Sequence, residues 1–286
     1  MSKPVVSVII VNYNAGPLLG RCVQSVLQSN IPLEVIVSDN ASTDESLPLL
    51  RYRCGASENL SIIPNKENLG FSRANNLAVP KAQADFLLFL NPDCILESDT
   101  LEKMLVVMNA HPEAGMAGCQ IVNPDGSEQR GGRRNLPTPA NSLPGFIRKP
   151  LAIESFNLHS EPLPSDVIEI PAISGSFMLV RRSAMDDVGL LDEDYFLHCE
   201  DLDWCARFTE KGFPILFVPH VAVRHYQGAC SRRRPLFVQW NLHKGMRLFY
   251  DKHYQDKYAW PVRLATKAGI WVRFALTSLK YMFGRR

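Results

Sequence analysis

Five short apolar runs recur along the first 122 residues, each followed by a segment with helical character. The runs are VVSVIIVNY, EVIVSD, LSIIP, FLLFL and GMAGCQIV. They are rich in β-branched residues and nearly continuous rather than alternating, as strands covered on both faces are. Between them, Pro17 to Gln28, the stretch opening at Asp44, FSRANNLAVPKA and Asp99 to Ala110 read as helices. Strands alternating with helices predict an α/β fold, with a mostly parallel, Rossmann-like central sheet and helices on both faces. A length of 286 residues suits one large domain or one domain with an appendage.

The alternation stops at residue 123. Residues 124–166 are rich in Pro, Gly, Ser and Arg, which marks a functional loop or a disordered insert. SFMLVRR then resumes strand character, EDLDWCARFTEKG reads as an amphipathic helix closed by Gly212, ILFVP and VAVRHY read as two short strands, and the chain is helical from Pro235 onward. A net charge of +2 implies no global field for nucleic acid. The opening MSKPVVSVII has no leader-like cleavage pattern, and no run of about 18 uncharged apolar residues predicts a spanning helix. Seven cysteines without CxxC pairs fit a reducing cytoplasm better than a disulfide framework.

Ligands of open parallel sheets bind beyond the carboxyl ends of the strands, so the polar residues there carry the functional reading. The first strand ends in Asn12, Tyr13 and Asn14, and the second in Ser38, Asp39 and Asn40. Asn65, Asn68 and Gly70 follow the third, and Asn91, Pro92 and Asp93 end the fourth. Each group alone serves as a turn or helix cap; four in succession deliver polar side chains to one edge. Asp39 suits a ribose or base, Gly70 opens a helix whose free amides suit an anion, and Asn91 and Asp93 are hard oxygen ligands. A lone carboxylate with substrate phosphates is a common way to hold magnesium. Downstream, Glu200, Asp201 and Asp203 serve either as favourable acids at a helix start or as a general base beside the aromatic surface of Tyr195, Phe196 and Trp204. His225 follows a strand and is a competent metal ligand.

Taken in order, VSVIIVNYN, VSDNASTDES, NKENLGFSRANN, LLFLNPDC, SGSFMLVRRSAMDDVGLLDEDYFLHCEDLDWCARF and VRHYQGACS resemble the family 2 glycosyltransferases of the GT-A fold, over most of residues 5–254. The likeness is greatest to rhamnosyltransferase-like members of bacterial cell-surface polysaccharide assembly. The resemblance implies transfer of a sugar, with inversion, from a nucleotide diphosphate donor to a glycan or lipid-linked acceptor, with L-rhamnose from dTDP-L-rhamnose as the leading donor. A UDP-hexose or UDP-N-acetylhexosamine donor, or a catalytically silent membrane-bound scaffold, are the alternatives. It places Asn12, Asp39, Asn40, Gly70, Asn76, Asn91 and Asp93 around the donor. Asn91-Pro92-Asp93 stands where the family has a metal-binding Asp-x-Asp, with Asn in first place. This implies a weakly bound Mg2+ or Mn2+ on Asp93, Asn91 and His225. Asp201 is the implied catalytic base and Glu200 the fallback.

Two arginine clusters, Arg130, Arg133 and Arg134 in the insert and Arg232, Arg233 and Arg234 after His225, are either solvated patches or contacts for donor or acceptor phosphates. Beyond Asp256 the chain has basic but no acidic residues. A helical wheel groups Leu264, Trp271, Val272, Ala275, Leu279, Met282 and Phe283 opposite Arg263, Lys267, Arg273 and Lys280, with Ile270 and Phe274 on the polar side. This suits a helix lying in an anionic membrane surface, or one packed on its own domain. The expected organisation is a glycosyltransferase domain over 1–234, with a nucleotide-sugar half (1–123) and an acceptor and catalytic half (124–234), and a membrane-associating segment over 235–286. The expected location is the cytoplasmic face of the inner membrane.

Overall fold

The computed structural model describes residues 3–226, 228 and 234–283. The first half runs β1 (Val6–Asn12), α1 (Pro17–Leu27), β2 (Leu33–Asp39), α2 (Ser46–Cys54), β3 (Leu60–Pro64), α3 (Phe71–Ala78), β4 (Phe86–Leu90), β5 (Cys94–Ile95), α4 (Thr100–Ala110) and β6 (Met116–Val122). The second half runs β7 (Arg133–Arg134), α5 (Gly145–Arg148), β8 (Ile168–Glu169), β9 (Ala172–Ile173), β10 (Phe177–Arg181), α6 (Arg182–Val188), α7 (Glu200–Glu210), β11 (Ile215–His225), α8 (Pro235–His253) and α9 (Trp260–Phe283).

The main sheet has the order β3-β2-β1-β4-β10-β6-β11-β5, with β8 beside β11. Strands β3, β2, β1 and β4 are mutually parallel, as are β6 and β11, and β10 runs antiparallel between β4 and β6. The sheet is therefore mixed but mostly parallel. Chain order reverses between β1 and β4, which opens the crevice at their carboxyl ends. Side chains alternate between two cores. Val8, Ile10, Leu88 and Leu90 face α1 and α4, whereas Ile9, Leu87 and Phe89 face α6 and α7. This two-sided burial explains the unbroken apolar runs.

The segments expected as two strands, ILFVP and VAVRHY, form the single strand β11. Its register against β6 shifts between Val218 and Ala222. Pro219 lacks the ladder donor, and a bulge absorbs it without ending the strand. Trp204 and Tyr195, expected as aromatic surface, lie in the core. The Trp204 ring stands edge-on to Phe89 with centroids 5.0 Å apart, and its indole N–H donates to Gly189 O at 2.9 Å. That packing anchors α7 beneath the sheet.

The C-terminal helices pack on α7 and on each other. Asp203 accepts from Arg207 at 2.8 Å and pairs with His253 of α8 at 2.9 Å. Trp240 of α8 meets Trp271 and Phe274 of α9, at 5.3 and 5.6 Å between centroids, and Lys267 pairs with Asp251 at 2.6 Å. Trp271 therefore leaves the apolar side expected from the wheel and with Phe274 makes the helix–helix contact, while Ile270 is buried. Leu264, Val272, Leu276, Leu279 and Phe283 remain exposed. No described helix is long and apolar enough to cross a membrane.

Candidate active site

The polar strand ends bind one another. Asn12 exposes no surface; its amide donates to Asp39 Oδ1 at 2.6 Å and to Ser46 Oγ at 2.9 Å, and Asp39 Oδ2 accepts from Ser42 N at 3.1 Å. Asn40 donates to Gly70 O at 3.0 Å and accepts from Asn65 at 3.0 Å. The side chains along this edge are thus hydrogen-bonded to one another. Asn76 donates to Leu191 O and to Glu193, tying α3 to the second half of the chain.

Gly70 has φ 81° and does permit a close approach, but by the protein itself. A β-carbon there would stand 2.5 Å from Phe196 O. That carbonyl accepts from Phe71 N at 2.8 Å, so the first amide of α3 is capped by Phe196, not open to an anion as the sequence suggested. Phe196 in turn meets Phe237 of α8 edge-on, with centroids 5.6 Å apart.

Asn91-Pro92-Asp93 turns the chain from β4 into β5, which pairs antiparallel with the end of β11, setting Cys94 opposite His225. This pairing is why residues 132 positions apart meet: His225 Nε2 lies 3.0 Å from Asp93 Oδ1. Asn91 Nδ2 is 3.4 Å from the same nitrogen. Two donors, each about 2.1 Å from an octahedral cation, stand about 3.0 Å apart when adjacent, so this pair fits Mg2+ or Mn2+. Cys94 Sγ belongs to the same cluster, within 4.8 Å of the other donors. Burial and the neighbouring Asp93 push its thiol well above its ordinary range, and it donates to Ser176 O. A thiol is the softer donor, so the oxygen–imidazole pair of Asp93 and His225 is the better match to a hard divalent cation.

The second centre lies at the start of α7. Asp201 Oδ2 accepts from Arg134 Nη2 at 2.5 Å and from Gly175 N at 2.9 Å, and Oδ1 accepts from Leu202 N at 2.8 Å. Burial works to raise the Asp201 carboxyl, but the Arg134 charge and these hydrogen bonds outweigh it and hold it below its ordinary range. Glu200 is pushed up, by burial and by the charge of Asp201, and its Oε2 has no partner among the described residues. Adjacent carboxyls are thus driven apart, one ionised and one favouring its proton. His198 and Cys199, just before them, hold φ of 71° and 72°. The closeness of Gly245 in α8, whose absent β-carbon would lie 2.7 Å from His198 O, keeps this strained turn in place.

Arg133 and Arg134 part company because successive residues of β7 point to opposite faces. Arg134 enters the site. Arg133, expected as a phosphate or acceptor contact, is buried in a paired contact with Glu128, at 2.7 and 3.1 Å, and donates to the carbonyls of Glu161 and Pro162. It holds the insert together, with little of its surface exposed. Arg232 and Arg233 lie outside the described residues. Sequence reasoning missed Gln129, which contacts His225, and the capping of α3 by Phe196, which it read only as aromatic surface.

The description "Glycosyl transferase family 2" matches residues 7–189. The N-acetylglucosaminyl-diphospho-decaprenol L-rhamnosyltransferase of Mycobacterium tuberculosis is 29% identical over 297 residues, covering 95% of this chain and 94% of that protein. Rhamnosyltransferase WbbL of Escherichia coli K12 is 29% identical over 77% of this chain and 83% of its own length. Among solved structures, the mannosyltransferase PcManGT of Pyrobaculum calidifontis, in complex with GDP-Man and Mn2+, aligns with a TM-score of 0.62 at 19% identity, covering 100% of this chain and 77% of its own. Staphylococcus aureus TarS 1-349 with UDP-GlcNAc aligns at 0.59 and 16% identity, covering 93% and 71%. These structures share the GT-A fold. The chain belongs to the family 2 glycosyltransferases, alongside relatives named as rhamnosyltransferases.

Proposed function

We propose that this glycosyltransferase moves L-rhamnose from dTDP-L-rhamnose to a lipid-linked or glycan acceptor in envelope polysaccharide assembly, by a single inverting displacement. The observation that carries the mechanism is the pairing of two centres, Asp93 with His225 at the β4 end and Glu200-Asp201 at the α7 start. The choice of sugar is supported by the names of relatives that match along nearly the whole chain.

Asp93 and His225, with Asn91 beside them, would hold the divalent cation, which when bound stabilises charge on the departing diphosphate. The hydrogen-bonded edge of Asp39, Asn40 and Gly70 forms the wall on which the nucleotide rests. Asp201 takes the proton of the acceptor hydroxyl as that oxygen attacks the anomeric carbon and the bond to the diphosphate breaks. Its Oδ1, with one hydrogen bond, has a lone pair for this; Arg134 and Gly175 steady Oδ2. Asp201→Asn lowers turnover by about 10²–10⁴-fold, the usual worth of a general base. Unchanged turnover would move that role to Glu200. The exposed stripe of α9, flanked by Arg273 and Lys280, lies on an anionic membrane surface at the cytoplasmic face. Truncation after residue 258 abolishes sedimentation with phosphatidylglycerol vesicles.

The deciding experiment is a thermal-shift panel with Mn2+ and dTDP-L-rhamnose, UDP-glucose, UDP-N-acetylglucosamine or GDP-mannose. Stabilisation by the thymidine donor alone is expected. Preference for a uridine donor would replace the sugar, and no response to any nucleotide would favour a silent scaffold.

A further inference from the structure

The reach of His225 into the cation site depends on a hydrogen-bond chain whose direction the structure determines. After β6 the chain turns through Asn123 to Ser127, with Gly126 at φ 86°, and Gln129 N returns to Ile121 O at 2.8 Å. This hairpin lies beside the end of β11, where Val122 pairs with Arg224. It brings the buried Gln129 side chain against His225.

The chain starts at Asp125, an exposed carboxylate that only accepts when ionised; hydrogen bonds from the Ser127 hydroxyl and amide hold it below its ordinary range. Ser127 Oγ donates to it at 2.6 Å, so the same oxygen accepts from Asn123 Nδ2 at 3.0 Å. That orients the Asn123 amide and turns its Oδ1 to Gln129 Nε2, at 3.0 Å. Gln129 Nε2 also meets the carbonyl oxygen of His225 at 3.3 Å, an acceptor that cannot reverse. Both contacts require nitrogen on that side, so Gln129 Oε1 faces His225 Nδ1, at 2.6 Å, and must accept its proton. The other ring nitrogen, Nε2, then carries a lone pair in the neutral ring. It lies 3.0 Å from Asp93 Oδ1, where a shared cation would join the two.

We propose that Gln129 is a positioning residue for the cation site, fixing the His225 ring in the tautomer whose Nε2 is free to bind metal, with Asn123, Ser127 and Asp125 aligning the Gln129 amide. The proposal rests on the reading of Asp93 and His225 as cation ligands. No part of it requires Gln129 to touch metal or substrate.

The test has two arms. In the first, Mn2+ alone is titrated and free Mn2+ is followed by electron paramagnetic resonance. Gln129→Leu weakens binding by about 10–100-fold, the usual effect of losing such an outer partner. Gln129→Glu, which keeps an oxygen for the Nδ1 proton, restores most of it. Wild-type affinity in Gln129→Leu would overturn the proposal. In the second arm, 15N NMR of the metal-free wild-type protein reads the ring directly. A protonated, slowly exchanging Nδ1 is expected, and a ring protonated at Nε2 alone would overturn the proposal. If the wild type binds no Mn2+ yet shows the protected Nδ1–H, the cation reading fails while the positioning of the ring stands.

Discussion

The contact between Arg134 and Asp201 makes a quantitative demand on the fold. Both side chains are almost enclosed, at 11% and 12% exposure, and Glu200 adds a second buried carboxyl next door. Replacing Arg134 with Met keeps the bulk and removes the charge. Breaking a buried ion pair from one side costs about 3–5 kcal/mol, because the remaining charge is left without compensation. At roughly 2 °C per kcal/mol for a chain of this size, Arg134→Met should lower Tm by about 6–10 °C. The loss should depend on pH. Without Arg134, burial raises the folded-state pKa of Asp201 above its unfolded value. Such a group loses stability as pH rises through that range, so the deficit is larger at pH 8 than at pH 5. Differential scanning fluorimetry of Arg134→Met, Asp201→Asn and the double variant closes a cycle. The double variant should be more stable than additivity predicts, by about 1–3 kcal/mol. Additive effects, or a Tm change under about 2 °C in Arg134→Met, would refute the claim that this guanidinium holds the carboxylate.

Further outcomes follow from the C-terminal packing. Burial works against the charged ring of His253, but its hydrogen bonds to Asp203 and Glu210 outweigh this and raise its pKa above 6.5. A raised histidine stabilises fully below its unfolded pKa and loses that contribution as pH rises through the folded value. Thermal stability should therefore fall above about pH 6.5, and His253→Gln should flatten that slope in a pH series of melting curves. Gly245→Ala sets a methyl 2.7 Å from His198 O and 3.2 Å from Cys199 Cβ. Overpacking of that kind costs about 1–3 kcal/mol, and the pressure falls on the turn that leads into Glu200 and Asp201. Urea unfolding should show the loss, together with a fall in turnover larger than in Gly269→Ala, where a β-carbon meets nothing within 4 Å. Gly70→Ala should be worse for stability, since φ of 81° and the 2.5 Å approach of Phe196 O act together.

The parts of this molecule that were legible in the sequence are those governed by local pattern. Runs such as VSVIIVN and FLLFL announce two-sided burial, and the polar residues after them fall on one edge because parallel strands end there together. The antiparallel insertion of β10 between β4 and β6 was not legible, because SFMLVRR carries the same apolar signal in either direction. Pro219 misled for a similar reason: a bulge in β11 tolerates it, and nothing nearby reveals the bulge. On α9 the wheel grouped Trp271 with apolar residues that stay exposed and left Phe274 on the polar side, whereas both pack on Trp240. Trp271 and Phe274 are chosen by Trp240 on another helix, which a wheel cannot include. The site divides in the same way. Residue types with few chemical uses, such as Asp93, His225 and Asp201, stood out at strand and helix ends. Of the residues that hydrogen-bond to them, Gln129 and Gly175 are ordinary in sequence, and Arg134 stood out only as one of a basic cluster. They gain meaning from hydrogen-bond direction alone: whether an amide offers oxygen or nitrogen to His225 depends on a carbonyl and a serine brought there by the fold. The candidate ligands are therefore written locally, while their hydrogen-bonded orientation is a property of the assembled hairpin.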